Sequence, residues 1–250
     1  MIQLKTPGEI EIMDRANAIV LSVLDRVSEA LRPGAVLKDL DGLAEAVTRE
    51  MGGKPAFKGY HGYPASICIS VNDEVVHGIP GGRRLQQGDV VSLDYGVILE
   101  GYYGDAARTC PVGEIDEAAR RLLEVTEQSL HKGIEQARPG NRVSDVSSAV
   151  QRWAEDHGFS VVREYVGHGI GRALHEEPQV PNFGEPGRGP RLQPGMVLAI
   201  EPMINEGTHE VTLDRDGWTV RTRDAKRSAH FEYSVAVTES GPRILGAEGR

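Results

Sequence analysis

The stretch VVSLDYGVILEGYYGDAART, residues 90–109, places one aspartate in each of two strand-like runs around a Leu-Glu-Gly turn. With the turn centred on Leu99 and Glu100, cross-strand partners have numbers summing to 199, which predicts that Asp94 and Asp105 stand directly opposite each other. Like charges in that position destabilise a sheet, so the pair calls for a compensating charge, and a metal ion is the simplest one. A solvated hairpin whose carboxylates do no chemistry is the other reading this stretch leaves open. Three further segments, GHGIGRALHEEP (167–178), AIEPM (199–203) and HFEYSVAVTE (230–239), offer His168, His175, Glu201 and Glu232. Charges in such apolar or alternating runs are rarely buried unless paired or metal-bound. Singly, each has an ordinary reading: Glu201 capping a strand beside an arginine, Glu232 facing solvent, His168 in a glycine-rich turn. Jointly, Asp94, Asp105, His168, Glu201 and Glu232 are four carboxylates and one imidazole, a charge that two divalent cations neutralise. An oxygen-rich set with one nitrogen suits manganese, iron, cobalt or zinc and excludes a thiolate zinc site. Two such metals about 3.5–4 Å apart are a hydrolytic device.

The elements that must position these residues show a duplication. LRPGAVLKDLDGLAEAVTREMG, residues 31–52, runs parallel to ARPGNRVSDVSSAVQRWAEDHG, residues 137–158, at an offset of 106. Each copy is a Pro-Gly turn followed by an amphipathic helix, and each follows a longer pattern with apolar residues at three- and four-residue spacing. At an offset of 107 the likeness resumes: RLQQGDVVSLD (84–94) matches RLQPGMVLAIE (191–201), so Asp94 aligns with Glu201. Three segments in one order at nearly one offset make chance a poor account, and the period is too long for a solenoid. The pattern predicts a single domain over 1–250 with an internal pseudo-repeat, about 8–105 and 114–235. Its class is α+β: two pseudo-symmetric halves sharing a mostly antiparallel sheet, with helices on the outer face.

Composition bounds the rest. At 250 residues and 39% hydrophobic content the chain can bury a sizeable core. A formal net charge of -9 gives no general attraction to nucleic acid or to an anionic membrane. The amino-terminal residues carry Glu9, Glu11 and Asp14 with no continuous apolar core, unlike a secretory signal, and no stretch reaches the length of a membrane span. Cys68 and Cys110 are the only cysteines, which fits a reducing cytosol.

In their order along the chain, KGYHGYPASICISVNDEVVHGIP, VSLDYG, GDAART, VGHGIGRALHEEP, AIEPM, DGWTV and HFEYSVAVTE resemble type I methionine aminopeptidase over roughly residues 5–245. The resemblance implies the pita-bread fold, with a curved sheet, and a dinuclear metallo-exopeptidase. Such an enzyme removes the initiator methionine from nascent polypeptides with a small second residue, by attack of a metal-bridging water or hydroxide on the peptide carbonyl. Carried over residue by residue, it implies that Asp94 chelates one metal, that Asp105 and Glu232 bridge both, and that His168 and Glu201 complete the other shell. The implied cofactors are two divalent ions of cobalt, manganese, iron or zinc. Glu201 is the implied proton shuttle, and His77 and His175 are the implied non-ligand histidines that contact substrate and stabilise the tetrahedral intermediate. Phe57, Tyr60, His61, Tyr63, Cys68 and Trp218 match the methionine pocket or its rim, where sulfur-aromatic contact supplies a physical reason. The implied partners are the amino-terminal methionine of nascent peptides and a transient ribosome contact; a cytoplasmic monomer that binds no specific nucleic acid and no membrane is the further expectation, made apart from the resemblance.

Two departures from the family pattern stand out. Leu174 precedes His175 where many relatives carry an aromatic residue, which predicts a wider or softer pocket wall. Tyr233 follows Glu232 where relatives often carry histidine, which puts the support of the metal ligands in question. Aminopeptidase P and prolidase share the five ligands, but GHGIGRALHEEP fits the methionine-specific group better. The 33 positions from His168 to Glu201 leave no room for the insert of type II enzymes. A non-catalytic pita-bread binding protein, the rival from another class, would have lost ligands that this chain retains.

Overall fold

The computed structural model describes residues 2–247. In chain order, α1 (Pro7–Glu29) and α2 (Leu37–Glu50) precede β1 (Lys54–Pro55), β2 (Cys68–Val71), β3 (Glu74–Val76) and the long hairpin of β4 (Val90–Leu99) and β5 (Tyr102–Pro111). A second pair of helices, α3 (Glu117–Gln136) and α4 (Val143–Asp156), leads into β6 (Ser160–Val161), β7 (Gly167–Gly169), β8 (Glu176–Val180), β9 (Val197–Ile200) and β10 (Met203–Asn205). After them come β11 (Val211–Leu213), β12 (Val220–Thr222), β13 (Ser228–His230), β14 (Glu232–Thr238) and β15 (Gly241–Ile244).

Local chemistry fixes the helix starts. Thr6 caps α1 in a reciprocal pair with Glu9, with Pro7 in the first turn, and the Asp116 carboxylate caps α3 by accepting from Ala119 N at 2.7 Å. The Pro-Gly turns ahead of α2 and α4 use Gly34 and Gly140 at φ of 89° and 94°, a region open to glycine because it has no Cβ. Both halves then make the same long-range contacts. Val36 bridges Arg84 as Arg142 bridges Arg191, and Leu85 N donates to Ala35 O as Leu192 N donates to Asn141 O. These pairs stand at the offsets of 106 and 107 seen in the sequence.

The largest sheet runs β1-β4-β5-β14-β9-β7-β8, with β2 also on β4 and β15 on β14, and its ladders are antiparallel. The repeat makes the central order β4-β5-β14-β9 palindromic, so the hairpin strand β5 meets β14 at the pseudo-twofold axis. Apolar residues of α1 and α2 bury against β2 and β4 in one core, and those of α3 and α4 against β9 and β14 in another. Each fully buried Val, Leu or Ile there contributes about 1.5–3 kcal/mol. Tyr233 packs against both clusters and its ring lies near His131 of α3. Strand alternation therefore turns it to the helix side, away from Glu232 and the ligand face.

The register expected for the hairpin is corrected. Leu99 pairs with Tyr102, and the two-residue turn is Glu100–Gly101, at φ of 50° and 82°, the positive pair that matches strand twist. Asp94 consequently faces Ala107, and Asp105 faces Gly96. The aspartates are diagonal neighbours rather than opposite ones. They keep the same face, because moving the turn by one residue changes every pairing sum by two and side chains alternate with period two.

Helix α1 lies directly on β5 behind Asp105. A Cβ at Gly104 would stand 2.8 Å from Asn17 N and 2.9 Å from Ala16 C, both backbone atoms that cannot turn aside. Asn17 Oδ1 also accepts from Asp105 N at 3.1 Å. Gly104→Ala should therefore lift α1 from the sheet, at about 1–3 kcal/mol. Calorimetry should show a Tm lower by about 2–12 °C; an unchanged Tm would mean that this contact has slack.

Candidate active site

The sheet registers carry the candidate ligands into one row. Asp94 pairs with Ala107 and Ala107 pairs with Glu232, while Tyr233 pairs with Ile200, so the next step sets Glu232 level with Glu201 just past the end of β9. His168 pairs with Ala199 one strand further on, two residues from Glu201 and thus on the same face. Five adjacent strands or strand ends contribute one residue each. Ligand atoms of Asp105, His168 and Glu232 all lie within 4.8 Å of one another. Glu201 Oε1 is 3.5 Å from His168 Nε2, and Asp94 lines the same cavity.

Asp105, His168 and Glu232 are buried, and Asp94 and Glu201 are half-buried at the cavity wall. Burial, reinforced by the neighbouring carboxylates, pushes Asp105 and Glu232 well above the ordinary carboxylate range. Burial raises Asp94 to about 7 and Glu201 to about 8. It acts in the opposite direction on the imidazoles, lowering His168 to about 3 and His77 to about 4. His168 Nδ1 donates to Gly169 O at 2.9 Å, which leaves a bare lone pair on Nε2. Asp105 Oδ1 and Glu232 Oε1 are buried without a hydrogen-bond partner. Acceptors facing acceptors in a dry site are relieved by a proton or by a cation between them. The donor set of carboxylate oxygens and one neutral imidazole nitrogen thus fits divalent metal.

The cavity has a volume of about 240 Å³ and is lined by Phe57, Tyr60, His61, Tyr63, Cys68, His77, Asp94, Asp105, His168, Leu174, His175, Glu201, Trp218 and Glu232. Every candidate site residue read from the sequence is in this lining, and so is Leu174, whereas Tyr233 is not. At that size it admits one side chain rather than a ligand that fills the roughly 300–1,000 Å³ of larger sites. Phe57, Tyr63, Cys68 and Leu174 are buried and form the apolar part, while His61 and His175 are exposed at the mouth. Burial keeps the Cys68 thiol protonated by pushing its pKa well up, which suits a lining residue and not a nucleophile. Trp218 arrives on the turn between β11 and β12 and meets Tyr63 edge to face, with ring centroids 5.2 Å apart. Arg221 pins that hairpin by bonding Asp214, Asp73 and Glu74 at 2.8–3.1 Å. His77 follows β3 at φ 60°, a conformation costing about 1–3 kcal/mol and characteristic of functional positions. Tyr60 Oη is 2.8 Å from His175 Nδ1, a pairing that orients the ring.

Sequence reading passed over His230. Its ring is buried with neither nitrogen hydrogen-bonded, and Nε2 lies 3.6 Å from Glu201 Oε2. The available signal was its place two residues before Glu232, the spacing that returns an extended chain to the same face.

Residues 11–239 match the profile of metallopeptidase family M24. Methionine aminopeptidase 1 of Bacillus subtilis (strain 168) is 53% identical over 245 residues, covering 98% of this chain and 99% of that protein. The crystal structure of methionine aminopeptidase from Thermotoga maritima superposes with a TM-score of 0.98 at 48% identity, over 99% of this chain and 100% of that one. Prolidase from Pyrococcus furiosus shares the fold at a TM-score of 0.81 and 25% identity, over 99% of this chain and 66% of its own.

The sign of the pH response follows from the shifts. Asp94 and Glu201, raised to about 7 and about 8, hold protons in the folded chain that the unfolded chain has released. Their contribution to stability is therefore lost as pH rises through that window. The lowered His168 and His77 contribute above their ordinary range and lose that contribution as pH falls toward about 3 and about 4 respectively, outside the same window. A cation needs ionised carboxylates, so its binding strengthens as pH rises through 7 to 8. Added Mn²⁺ should raise the Tm of metal-stripped protein more at pH 8 than at pH 6, as read by scanning fluorimetry. Equal rises would show carboxylates already ionised without metal.

Proposed function

The chain belongs to metallopeptidase family M24, among its methionine aminopeptidases, and from that premise we propose that it removes the initiator methionine from nascent polypeptides whose second residue is small. The observation that carries this reading is a single cavity lined by the five candidate ligands together with an apolar set. Asp105 and Glu232 would hold two divalent cations between them, Asp94 would complete the shell of one, and His168 and Glu201 that of the other. Bound there, the cations would supply Lewis acidity, acidifying water and polarising the peptide carbonyl. Cobalt, manganese, iron and zinc all suit the donor set.

The chain's own residues do the rest. Phe57, Tyr63, Cys68, Leu174 and Trp218 bury an unbranched thioether away from water, with sulfur against aromatic edges. His77, held neutral by burial, and His175, whose pKa the cavity wall lowers, donate N–H to the carbonyl oxygen as it gains charge. With the Tyr60 hydroxyl donating to Nδ1, the His175 hydrogen sits on Nε2, the nitrogen left free for this task. Glu201 takes a proton from the attacking water on a carboxylate oxygen and returns it to the departing amine. The reading places this work in the cytoplasm, on chains emerging from the ribosome, by a monomer. Prolidase-like cleavage, the other reading open to this fold, is not favoured, since the likeness to prolidase is 25% identity against 53% for a methionine aminopeptidase.

The test is hydrolysis of Met-Ala-Ser, Leu-Ala-Ser and Ala-Pro-Ala by metal-stripped protein titrated with manganese, iron or cobalt ions. Methionine release from the first peptide alone, and only with metal, is expected; cleavage of Ala-Pro-Ala would move the activity to the prolidase class. Asp105→Asn and Glu232→Gln should weaken Mn²⁺ binding by more than the roughly 10- to 100-fold that loss of a supporting bond costs. Full occupancy and activity in either variant would remove that residue from the ligand set.

A further inference from the structure

The segment Gly171–Glu176 brings Leu174 and His175 to the cavity, and side chains from the amino-terminal residues hold it at both ends. Lys5 Nζ lies 2.6 Å from Glu176 Oε2, with side-chain exposures of 5% and 10%. The same ammonium donates to Gln3 O at 3.1 Å, and Lys5 N donates to Gly195 O at 2.7 Å, which fixes the segment against the turn before β9. The second oxygen of Glu176 accepts from Arg172 N at 2.8 Å and Ala173 N at 3.2 Å, closing the loop on itself. At the other end the Arg172 guanidinium lies 4.4 Å over the Tyr102 ring and 3.6 Å from Glu9 Oε1. Glu9 is in turn held by the Tyr102 hydroxyl and by the backbone N–H of Thr6.

Gly171 shows independently how close this packing is. A Cβ there would stand 2.4 Å from Lys5 Cε and 2.6 Å from Glu176 Oε1. Tyr103 N donates to Gly171 O at 2.9 Å, so the glycine cannot simply swing away from the sheet.

We propose that Lys5 is a positioning residue for the reaction: through Glu176 it holds the loop that sets His175 over the peptide and Leu174 against the methionine side chain. The proposal rests on the function given above, in which His175 faces substrate. Removing one partner of a nearly buried ion pair leaves the other charge uncompensated, so without Lys5 the carboxylate of Glu176 turns to water and draws the loop with it. Asp105 and Glu232 sit on other strands and keep their places. Misplacing a reacting group by about 1 Å costs on the order of 100-fold in rate.

Lys5→Met and Gly171→Ala break the same contact from opposite sides, so a folding defect peculiar to one does not decide the matter. Both should lower kcat for Met-Ala-Ser by about 10- to 100-fold, with a smaller change in KM and with Mn²⁺ affinity, read by calorimetry, within about twofold of the parent. Amide hydrogen exchange should speed up over 171–176 in both variants while β5 and β14 keep their protection. An unchanged kcat and unchanged exchange in both variants would overturn the proposal, as would a loss that merely tracks lost Mn²⁺ binding or lost folded protein. Should the parent release no methionine, the functional reading fails by itself, and exchange over the loop still decides whether Lys5 anchors it.

Discussion

Four carboxylates gathered on one face of one sheet repel one another, and the rest of the structure is arranged around holding them there. Two unit charges about 4 Å apart interact by roughly 4 kcal/mol at an effective dielectric of 20, and burial adds a further cost to every ionised form. The sheet resists because its strands are pinned from behind by two helix pairs with separate apolar cores. The residual strain appears where it can do chemistry. Asp94 and Glu201 titrate near neutrality, Asp105 and Glu232 are pushed higher still, and buried acceptors lack donors. A divalent cation relieves all of these at once.

Duplication gives this arrangement its economy. The first half supplies Asp94 and Asp105 on adjacent strands, the second supplies Glu201 and Glu232, and the palindromic order of β4, β5, β14 and β9 makes them converge. The symmetry is broken at the imidazole. His168 pairs with Ala199, and at the related step of the first half Ser70 pairs with Ser92. Ser70 instead accepts from Gly78 N at 3.1 Å, helping to hold the turn that follows His77. One half therefore gives this position to the imidazole of the candidate ligand set, the other to the loop that carries His77.

The apolar side of the cavity is assembled from elements far apart in the chain. Phe57, Tyr63 and Cys68 come from the loop and strand after α2, Leu174 from the segment after β7, and Trp218 from an outlying hairpin. Each needs its own anchor: the Tyr63 hydroxyl donates to Gly78 O at 2.9 Å, Arg221 clamps the Trp218 hairpin, and Lys5 with Glu176 clamps the Leu174 segment. The sheet fixes the charged side through registers that cannot slip without inverting a face. The apolar side depends on these separate clamps, which makes it the part of the site that substitution can reshape.

The sequence alone determined whatever depends on local periodicity. Helix patterns, the Pro-Gly turns, the two-half repeat and the candidate residues on strands were legible because side-chain direction alternates and caps are local. That parity explains why the hairpin register could be misjudged by one turn position while Asp94 and Asp105 still shared a face. Tertiary structure decided what depends on which distant strands become neighbours. It turned Tyr233 toward the helices, set His230 beside Glu201, twisted His77 to a positive φ and brought Lys5 to Glu176, 171 positions away. No period in a sequence encodes such pairings, since they arise only when the two halves close on a common sheet and bury what lies between them.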